Sequence, residues 1–169
     1  MLTLDNTGHA VADRWVRLDD DASPPASGAV IVSLARLQAE PGLRPVALGG
    51  ALGVALPPGG DIAPLLPLLG RVSLIELPFP VFKDGRGFSA ARALREQHGF
   101  AGDLRASGHV LPDQYVALLR CGITSVALPE SADVAVWRAM LDRHETSGDP
   151  VTRALPFLRR AALPFEIGG

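Results

Sequence analysis

The sequence VSLIELPFPVFKDGRGFSAARALREQHG, residues 72–99, contains one complete strand–loop–helix unit. The apolar run Val72–Leu77 has the length and composition of a buried strand. Ser89 is placed to cap the helix that the pattern predicts over 90–98, and Gly99 stands where helices commonly end. The stretch is therefore predicted to be a βα repeat, the building block of a parallel sheet.

The same order of elements recurs on both sides of this unit. Five strand-like runs, separated by predicted helices, centre near residues 31, 54, 75, 105 and 126. This pattern predicts an α/β fold with a mainly parallel sheet of about five strands and right-handed crossovers. Two architectures fit the pattern, a three-layer open sheet and a partial (β/α) barrel. We expect the open sheet, because an incomplete barrel would leave its inner face in need of a partner.

Length and composition predict a single α/β domain over residues 1–169. Hydrophobic residues make up 47% of the chain and charged residues 20%, which is enough apolar material for a core. Short strands are predicted within residues 1–20. The segment 151–169 contains Pro156 and is predicted to form an arm, which could pack on a partner subunit in a homodimer.

The charge and the apolar runs disfavour two classes of partner. A formal net charge of −2 gives no basic surface for nucleic acid, and no apolar run approaches the length of a membrane span. The N-terminal residues lack the basic-then-apolar order of a signal peptide. We therefore expect a cytoplasmic protein with no nucleic-acid partner and no membrane partner.

No cofactor and no metal are expected. Cys121 is the only cysteine, which leaves no cysteine cluster for zinc or iron–sulfur, and the four histidines show no metal-ligand spacing. The loop before the helix at 90–98 lacks the Gly-Lys-Ser/Thr ending of a P-loop. Gly85-Arg86-Gly87 is not followed by the third glycine of a dinucleotide fingerprint.

The candidate binding residues lie in loops that follow predicted strands. Ligands of parallel α/β sheets bind at the carboxyl ends of the strands. Two such loops hold the candidate anion-binding residues, which are Lys83, Asp84, Arg86, Ser89 and His109. Two cations and helix-start amides could together hold a small oxyanion. The alternatives are, for the loop at 83–87, a solvated Asp-Gly turn or a structural Asp–Arg pair and, at 109, a histidine that only hydrogen-bonds within its loop.

Glu76 and Arg105 are charges within otherwise apolar strands. If the two strands are neighbours, the side chains could pair across the sheet and support the site. Alternatively, each lies near a strand end and reaches water.

Several motifs, in order along the chain, resemble a bacterial family known as domain of unknown function 934. The matching sequences are FP at 79–80, FKDGRGFSA at 82–90, LR at 94–95, GDLRASGHVL at 102–111, DQ at 113–114 and LRCG at 119–122. The resemblance covers about residues 45–130. Members are typically encoded beside assimilatory sulfite-reductase genes, and some are labelled oxidoreductases of sulfite reduction on that ground. The resemblance therefore implies an accessory role in assimilatory sulfite or sulfate reduction, with a sulfite reductase or a related sulfur-assimilation enzyme as partner.

Two other functions stay open at this point. The chain could be an enzyme, an oxidoreductase of sulfite reduction, whose active site combines Lys83, Asp84, Arg86 and His109. It could also be a purely structural homodimer without a ligand. An independent oxidoreductase needs a redox cofactor, for which the sequence carries no fingerprint, so we expect the accessory role.

Overall fold

The computed structural model describes residues 1–43, 50–59, 61–81 and 85–146. The strands are β1 (Leu2–Asp5), β2 (Ala10–Ala12), β3 (Trp15–Arg17), β4 (Ala29–Ser33), β5 (Ala51–Ala55), β6 (Leu74–Phe79), β7 (Asp103–Gly108) and β8 (Ser125–Leu128). The α-helices are α1 (Leu34–Ala39), α2 (Arg86–Glu96), α3 (Tyr115–Arg120) and α4 (Val134–Thr146). Two 3₁₀ helices span Ala63–Arg71 and Pro112–Gln114.

All of these strands belong to one curled sheet, in the order β2-β1-β8-β7-β6-β5-β4-β3. Strands β3 to β8 run parallel, each beside its predecessor in the chain, whereas β1 is antiparallel to both β8 and β2. Only two residues separate Ala12 in one edge strand from Trp15 in the other, a span of at most about 11 Å. The two edges must therefore approach each other, and the sheet forms an open half-barrel.

The hydrophobic core lies between the convex face of the half-barrel and the helices. Because side chains alternate along a strand, one set of strand residues faces outward and is almost wholly apolar. Its buried members include Val30, Val32, Leu52, Val54, Ile75, Leu77, Leu104, Ala106 and Val126. Ala91 and Leu94 of α2 and Leu118 of α3 belong to the same cluster. The helices therefore pack on the convex face, and the concave face lies on the opposite side of the sheet from this core.

Helix α2 begins earlier than the sequence predicts. It runs from Arg86 to Glu96, with Gly85 at the N-cap, so the prediction that Ser89 caps a helix over 90–98 is wrong. Ser89 instead lies within the first turn, where its amide donates to the carbonyl of Gly85 at 3.4 Å. Gly87, also in this turn, packs against the ring of Phe79, where a Cβ atom would lie 2.6 Å from Cζ. This close contact sets the helix start against the end of β6.

The predicted fold class is confirmed in its alternative form, the partial barrel. The sheet is mainly parallel as expected, but it has eight strands among the described residues instead of about five. The expectation of an open three-layer sheet assumed that the inner face of an incomplete barrel would need a partner. That face instead carries charged residues that pair within the chain. The predicted arm at 151–169 lies outside the described residues. Within the described ranges, no helix combines the length and the apolar composition that crossing a bilayer requires.

Candidate functional site

The concave face of the half-barrel is charged. Glu76 in the middle of β6 and Arg105 in β7 are partners in the sheet register. Both point away from the apolar convex set, and they are only 4% and 3% exposed. A charge at this depth needs a partner of opposite sign, because desolvation would otherwise cost several kcal/mol.

Each of these two charges is paired with a residue near β3. Arg17, in β3, donates a hydrogen bond from Nη2 to Oε1 of Glu76. Arg105 donates from Nη1 to Oδ2 of Asp13 at 2.9 Å, and these two side chains are 4% and 9% exposed. The other carboxylate oxygen of Asp13 accepts from the backbone amide of Trp15 at 3.0 Å. The two ion pairs therefore span the concave face and connect the chain around β3 to the central strands β6 and β7.

Asp103, at the start of β7, is surrounded by hydroxyl groups. Ser125 Oγ lies 3.0 Å from each carboxylate oxygen, and Thr124 donates its hydroxyl to Oδ1. The Thr124 hydroxyl in turn accepts from the amide of Leu104 at 2.9 Å. Asp103 also affects the pKa of Arg95. Burial lowers the pKa of the Arg95 guanidinium to about 10, and the negative charge of Asp103 partly offsets this shift.

Two cavities open on the concave face. The larger, of about 480 Å³, lies at the end where β7 and β8 begin and is lined by Thr3 and Asp103 among others. The smaller, of about 260 Å³, is lined by residues that include Arg17 and Glu76. Asp13, Trp15 and Arg105 line both cavities. Among the described residues, neither Arg105 Nε nor Thr3 Oγ1 has a hydrogen-bond partner, although both atoms are buried.

The carboxyl ends of the parallel strands form a second, more open region. The amide of His109, just after β7, donates to the carbonyl of Phe79 at the end of β6, at 2.7 Å. Arg86 extends over the turn after β5, since a Cβ atom at Gly59 would lie 3.3 Å from its Nη1. The loops after β5, β6 and β7 therefore adjoin one another. We call this region, defined by Gly59, Gly85, Arg86 and His109, the carboxyl edge.

A family model described as "Bacterial protein of unknown function (DUF934)" matches residues 53–155, more than half of the chain. The chain belongs to this family. The match begins later and ends further along the chain than the motifs alone indicate. Comparison with curated proteins and with solved structures gives no match. The family-matched region holds Glu76 and Arg105, whereas their ion-pair partners, Arg17 and Asp13 of the N-terminal segment, precede it.

The structure places three of the predicted site residues of this DUF934 protein near the same edge of the sheet. Arg86 and Ser89 lie in the first turn of α2 and His109 follows β7, so all three are at the carboxyl edge. All three are exposed, and none lines either cavity. Lys83 and Asp84 lie outside the described residues. The enzymatic alternative depends on those two residues as well, and it stays a prediction.

The predicted pair of Glu76 and Arg105 has a different arrangement. The two residues are neighbours across the sheet, but each forms its ion pair with the N-terminal segment. Their position in mid-strand on the concave face separates them from the loops they were expected to support. In the part of the chain that the structure describes, no three His, Cys, Asp or Glu side chains gather as a metal ion would require.

Several residues of the concave face were missed from the sequence. They are Thr3, Asp13, Trp15, Arg17 and Asp103. A signal was present in β7, where Asp103 and Arg105 flank Leu104, because polar residues at alternate positions indicate a strand with one polar face. No comparable local signal marks Asp13, which lies between two three-residue strands and acts through a contact 92 positions away.

Proposed function

We propose that the chain is a cytoplasmic accessory protein of assimilatory sulfite or sulfate reduction that binds a small oxyanion at the carboxyl edge. The observation that carries this proposal is the start of α2. Gly85 at the N-cap has no side chain with which to cap the helix, and Arg86 occupies the first helical position. The first amides of an α-helix have no partner within the helix and attract anions.

The surroundings of this helix start are accessible and positively charged, which favours a small anion. The Arg86 guanidinium lies close to the turn at Gly59, and the loop that carries His109 adjoins the end of β6. Arg86 and His109 are exposed, so an anion from solvent can reach them. An oxyanion could accept charge-assisted hydrogen bonds from the guanidinium together with bonds from backbone amides. Lys83 and Asp84, in the same loop, stay predicted contributors.

The proposed link to sulfite reduction rests on the family resemblance and not on the geometry of the site. The sulfite-reductase genes beside typical family members suggest that the bound oxyanion is sulfite, the substrate of that enzyme. The same resemblance suggests the reductase as a partner, and in this version of the proposal the reductase docks at the carboxyl edge. Both versions use the same exposed region, and both are compatible with a protein that performs no redox step of its own.

Isothermal titration of the full chain with sulfite and with sulfate, at constant ionic strength, tests the proposal. We expect saturable binding that Arg86→Ala weakens by about tenfold or more, because a charge-assisted hydrogen bond is lost. Arg92→Ala is the matched control, since Arg92 is an exposed arginine of the same helix that pairs with Glu96. Equal loss in both variants would show a general charge effect and would overturn the proposal, as would the absence of binding to either anion.

The partner version needs a separate measurement. Purified sulfite reductase is passed over the immobilised full chain, and binding is compared between the wild type, Arg86→Ala and Arg92→Ala. We expect Arg86→Ala alone to weaken the interaction. Reductase binding that is unaffected by Arg86→Ala would place the partner on another surface.

A further inference from the structure

Phe79, the last residue of β6, contacts both the start of α2 and the loop after β7. Its side chain belongs to the hydrophobic core and is 1% exposed. The ring packs against Gly87 in the first turn of α2, and its centroid lies 5.3 Å from that of Phe88 in an edge-to-face arrangement. The Phe79 carbonyl oxygen accepts the amide of His109 at 2.7 Å. One residue therefore touches the helix start through its side chain and the loop after β7 through its backbone.

These contacts leave little space on either side of Phe79. A Cβ atom at Gly87 would lie 2.6 Å from Cζ of the Phe79 ring, so only a glycine lets the helix start approach this closely. Gly108 is the register partner of Phe79 in the sheet and has a φ of 90°. A Cβ atom at Gly108 would lie 2.7 Å from the Phe79 carbonyl oxygen. Glycine is therefore favoured on both sides of Phe79 by the space available and, at Gly108, by the backbone conformation as well.

The side chains of Arg86 and His109 depend on this packed backbone. Arg86 directly precedes Gly87, and His109 directly follows Gly108. Binding groups hold a ligand well only where the packing behind them fixes their geometry to within about 0.5 Å. Phe79 itself has almost no surface through which to touch a ligand. Its contacts therefore suit it to set the spacing between two groups that do reach solvent.

We propose that Phe79 is a positioning residue of the carboxyl edge. It fixes the start of α2 and the loop after β7 relative to each other, so that Arg86 and His109 meet the same small anion. The anion part of this inference rests on the proposed function, whereas the coupling between the two segments does not. A change at the helix start should therefore reach His109 even when no anion is present.

Amide hydrogen exchange of the full chain, measured by NMR without added anion, tests the coupling. Gly87→Ala places a methyl group against the Phe79 ring, so the His109 amide should lose part of its hydrogen bond and exchange faster by about fivefold or more. The amide of Asp103, at the start of β7, donates to the carbonyl of Ser73 at 2.8 Å and is the internal reference. Its exchange rate should change much less. Equal acceleration of both amides would mean general destabilisation and would overturn the proposal, as would unchanged exchange at His109.

The matched control and a compensating variant identify the ring as the cause. Gly70→Ala adds a methyl group where nothing lies within 4 Å, so exchange at His109 should stay as in the wild type. Phe79→Leu combined with Gly87→Ala removes the ring atoms that the new methyl group meets. The double variant should therefore exchange more slowly at His109 than Gly87→Ala does. Equally fast exchange in the double variant would show that the methyl group acts without the ring, contrary to the proposal.

Phe79→Leu alone keeps the test decisive if Gly87→Ala does not fold. Leucine is large enough for a core position but lacks the ring atoms that contact the start of α2. Exchange at His109 should rise relative to exchange at Asp103 in this variant too. An unchanged ratio of the two rates would count against a positioning role for Phe79.

Sulfite titration of the same variants separates the positioning role from the proposed function. Gly87→Ala should raise the dissociation constant for sulfite by about threefold or more, because a displaced Arg86 loses part of its charge-assisted hydrogen bond. Gly70→Ala should bind like the wild type. Faster exchange at His109 with an unchanged sulfite dissociation constant in Gly87→Ala would overturn the positioning role. If the wild type binds no sulfite, the proposed function and the anion part of this inference both fail, and the exchange rates still decide the coupling.

Discussion

Glu76 and Arg105 lie beside each other on neighbouring strands, and each is ion-paired to the N-terminal segment. Glu76 accepts from Arg17, and Arg105 donates to Asp13. The two pairs connect the central strands β6 and β7 to the chain around β3. The Asp13–Arg105 pair is buried, whereas Glu76 is buried and its partner Arg17 is largely exposed, and both pairs span the concave face of the half-barrel.

Asp13→Asn should destabilise the fold strongly. It removes the negative partner of Arg105 and leaves a guanidinium that is 4% exposed without a counter-charge. Removing one member of a buried pair costs about 3–5 kcal/mol, and the remaining amide oxygen should keep this change near the lower limit, about 3 kcal/mol. Urea unfolding followed by far-UV circular dichroism measures the change.

The matched control is a pair at the surface. The N-terminal amine of Met1 donates to Glu130 at 2.7 Å, and both groups are well exposed. Glu130→Gln should leave the unfolding midpoint unchanged, because solvent screens such pairs. Equal destabilisation by Asp13→Asn and Glu130→Gln would contradict the structural role assigned to the Asp13–Arg105 pair.

The parallel βα order could be predicted from the sequence because it rests on local signals. Strand β6 is a short apolar run, and Gly99 and Gly122 mark the ends of the helical segments before the next strands. The carboxyl-edge position of Arg86 and His109 follows from the same reasoning, since parallel strands end on the same side. Each of these predictions used only residues that are close together in the chain.

The concave site could not be predicted in this way. Asp13, Trp15 and Arg17 lie in or beside very short strands, and their role appears only when the sheet curls and brings them to β6 and β7. The choice between a flat sheet and a half-barrel also depends on these distant pairs. Ser89 gave a misleading signal, because the contact between Gly87 and Phe79 starts the helix one turn earlier.

Gly102→Ala should destabilise the junction before β7. A Cβ atom there would lie 2.5 Å from the carbonyl oxygen of Ser73, which already accepts the amide of Asp103 at 2.8 Å. Backbone cannot move aside cheaply, so we expect a loss of about 2 kcal/mol in the free energy of unfolding. Gly70→Ala is the control, because nothing lies within 4 Å of its added methyl group. The prediction fails if chemical denaturation gives the same stability for both variants.

Tyr115→Phe should change how stability depends on pH. Burial raises the pKa of the Tyr115 hydroxyl, and the charge of Asp5 raises it further. The folded protein therefore keeps this proton at a pH where the unfolded chain, with a tyrosine pKa of about 10, loses it. The stability linked to Tyr115 is complete below about pH 10 and declines as the pH rises beyond it.

Comparison of the wild type with Tyr115→Phe isolates the contribution of the Tyr115 hydroxyl to the pH dependence of stability. The Tyr115 hydroxyl donates to the carbonyl of Asp5, so Tyr115→Phe should cost about 1 kcal/mol at neutral pH. The difference between wild type and variant should shrink when urea unfolding is repeated at about pH 10.5. The lowered pKa of Arg95 affects both proteins equally and cancels. A difference that is constant with pH would argue against a raised pKa.

Cys121 should react slowly with thiol reagents, and removal of the Arg92 side chain should slow this reaction further. Burial raises the pKa of the thiol, while the Arg92 guanidinium, whose Nη2 lies 3.9 Å from Sγ, lowers it. The thiolate is the reactive form, so Arg92→Ala should slow the reaction with Ellman's reagent by roughly two- to fivefold at constant pH. In denaturant, wild type and variant should react at the same, faster rate. A faster reaction in folded Arg92→Ala would mean that this side chain shields the sulfur sterically and has no favourable electrostatic effect on it.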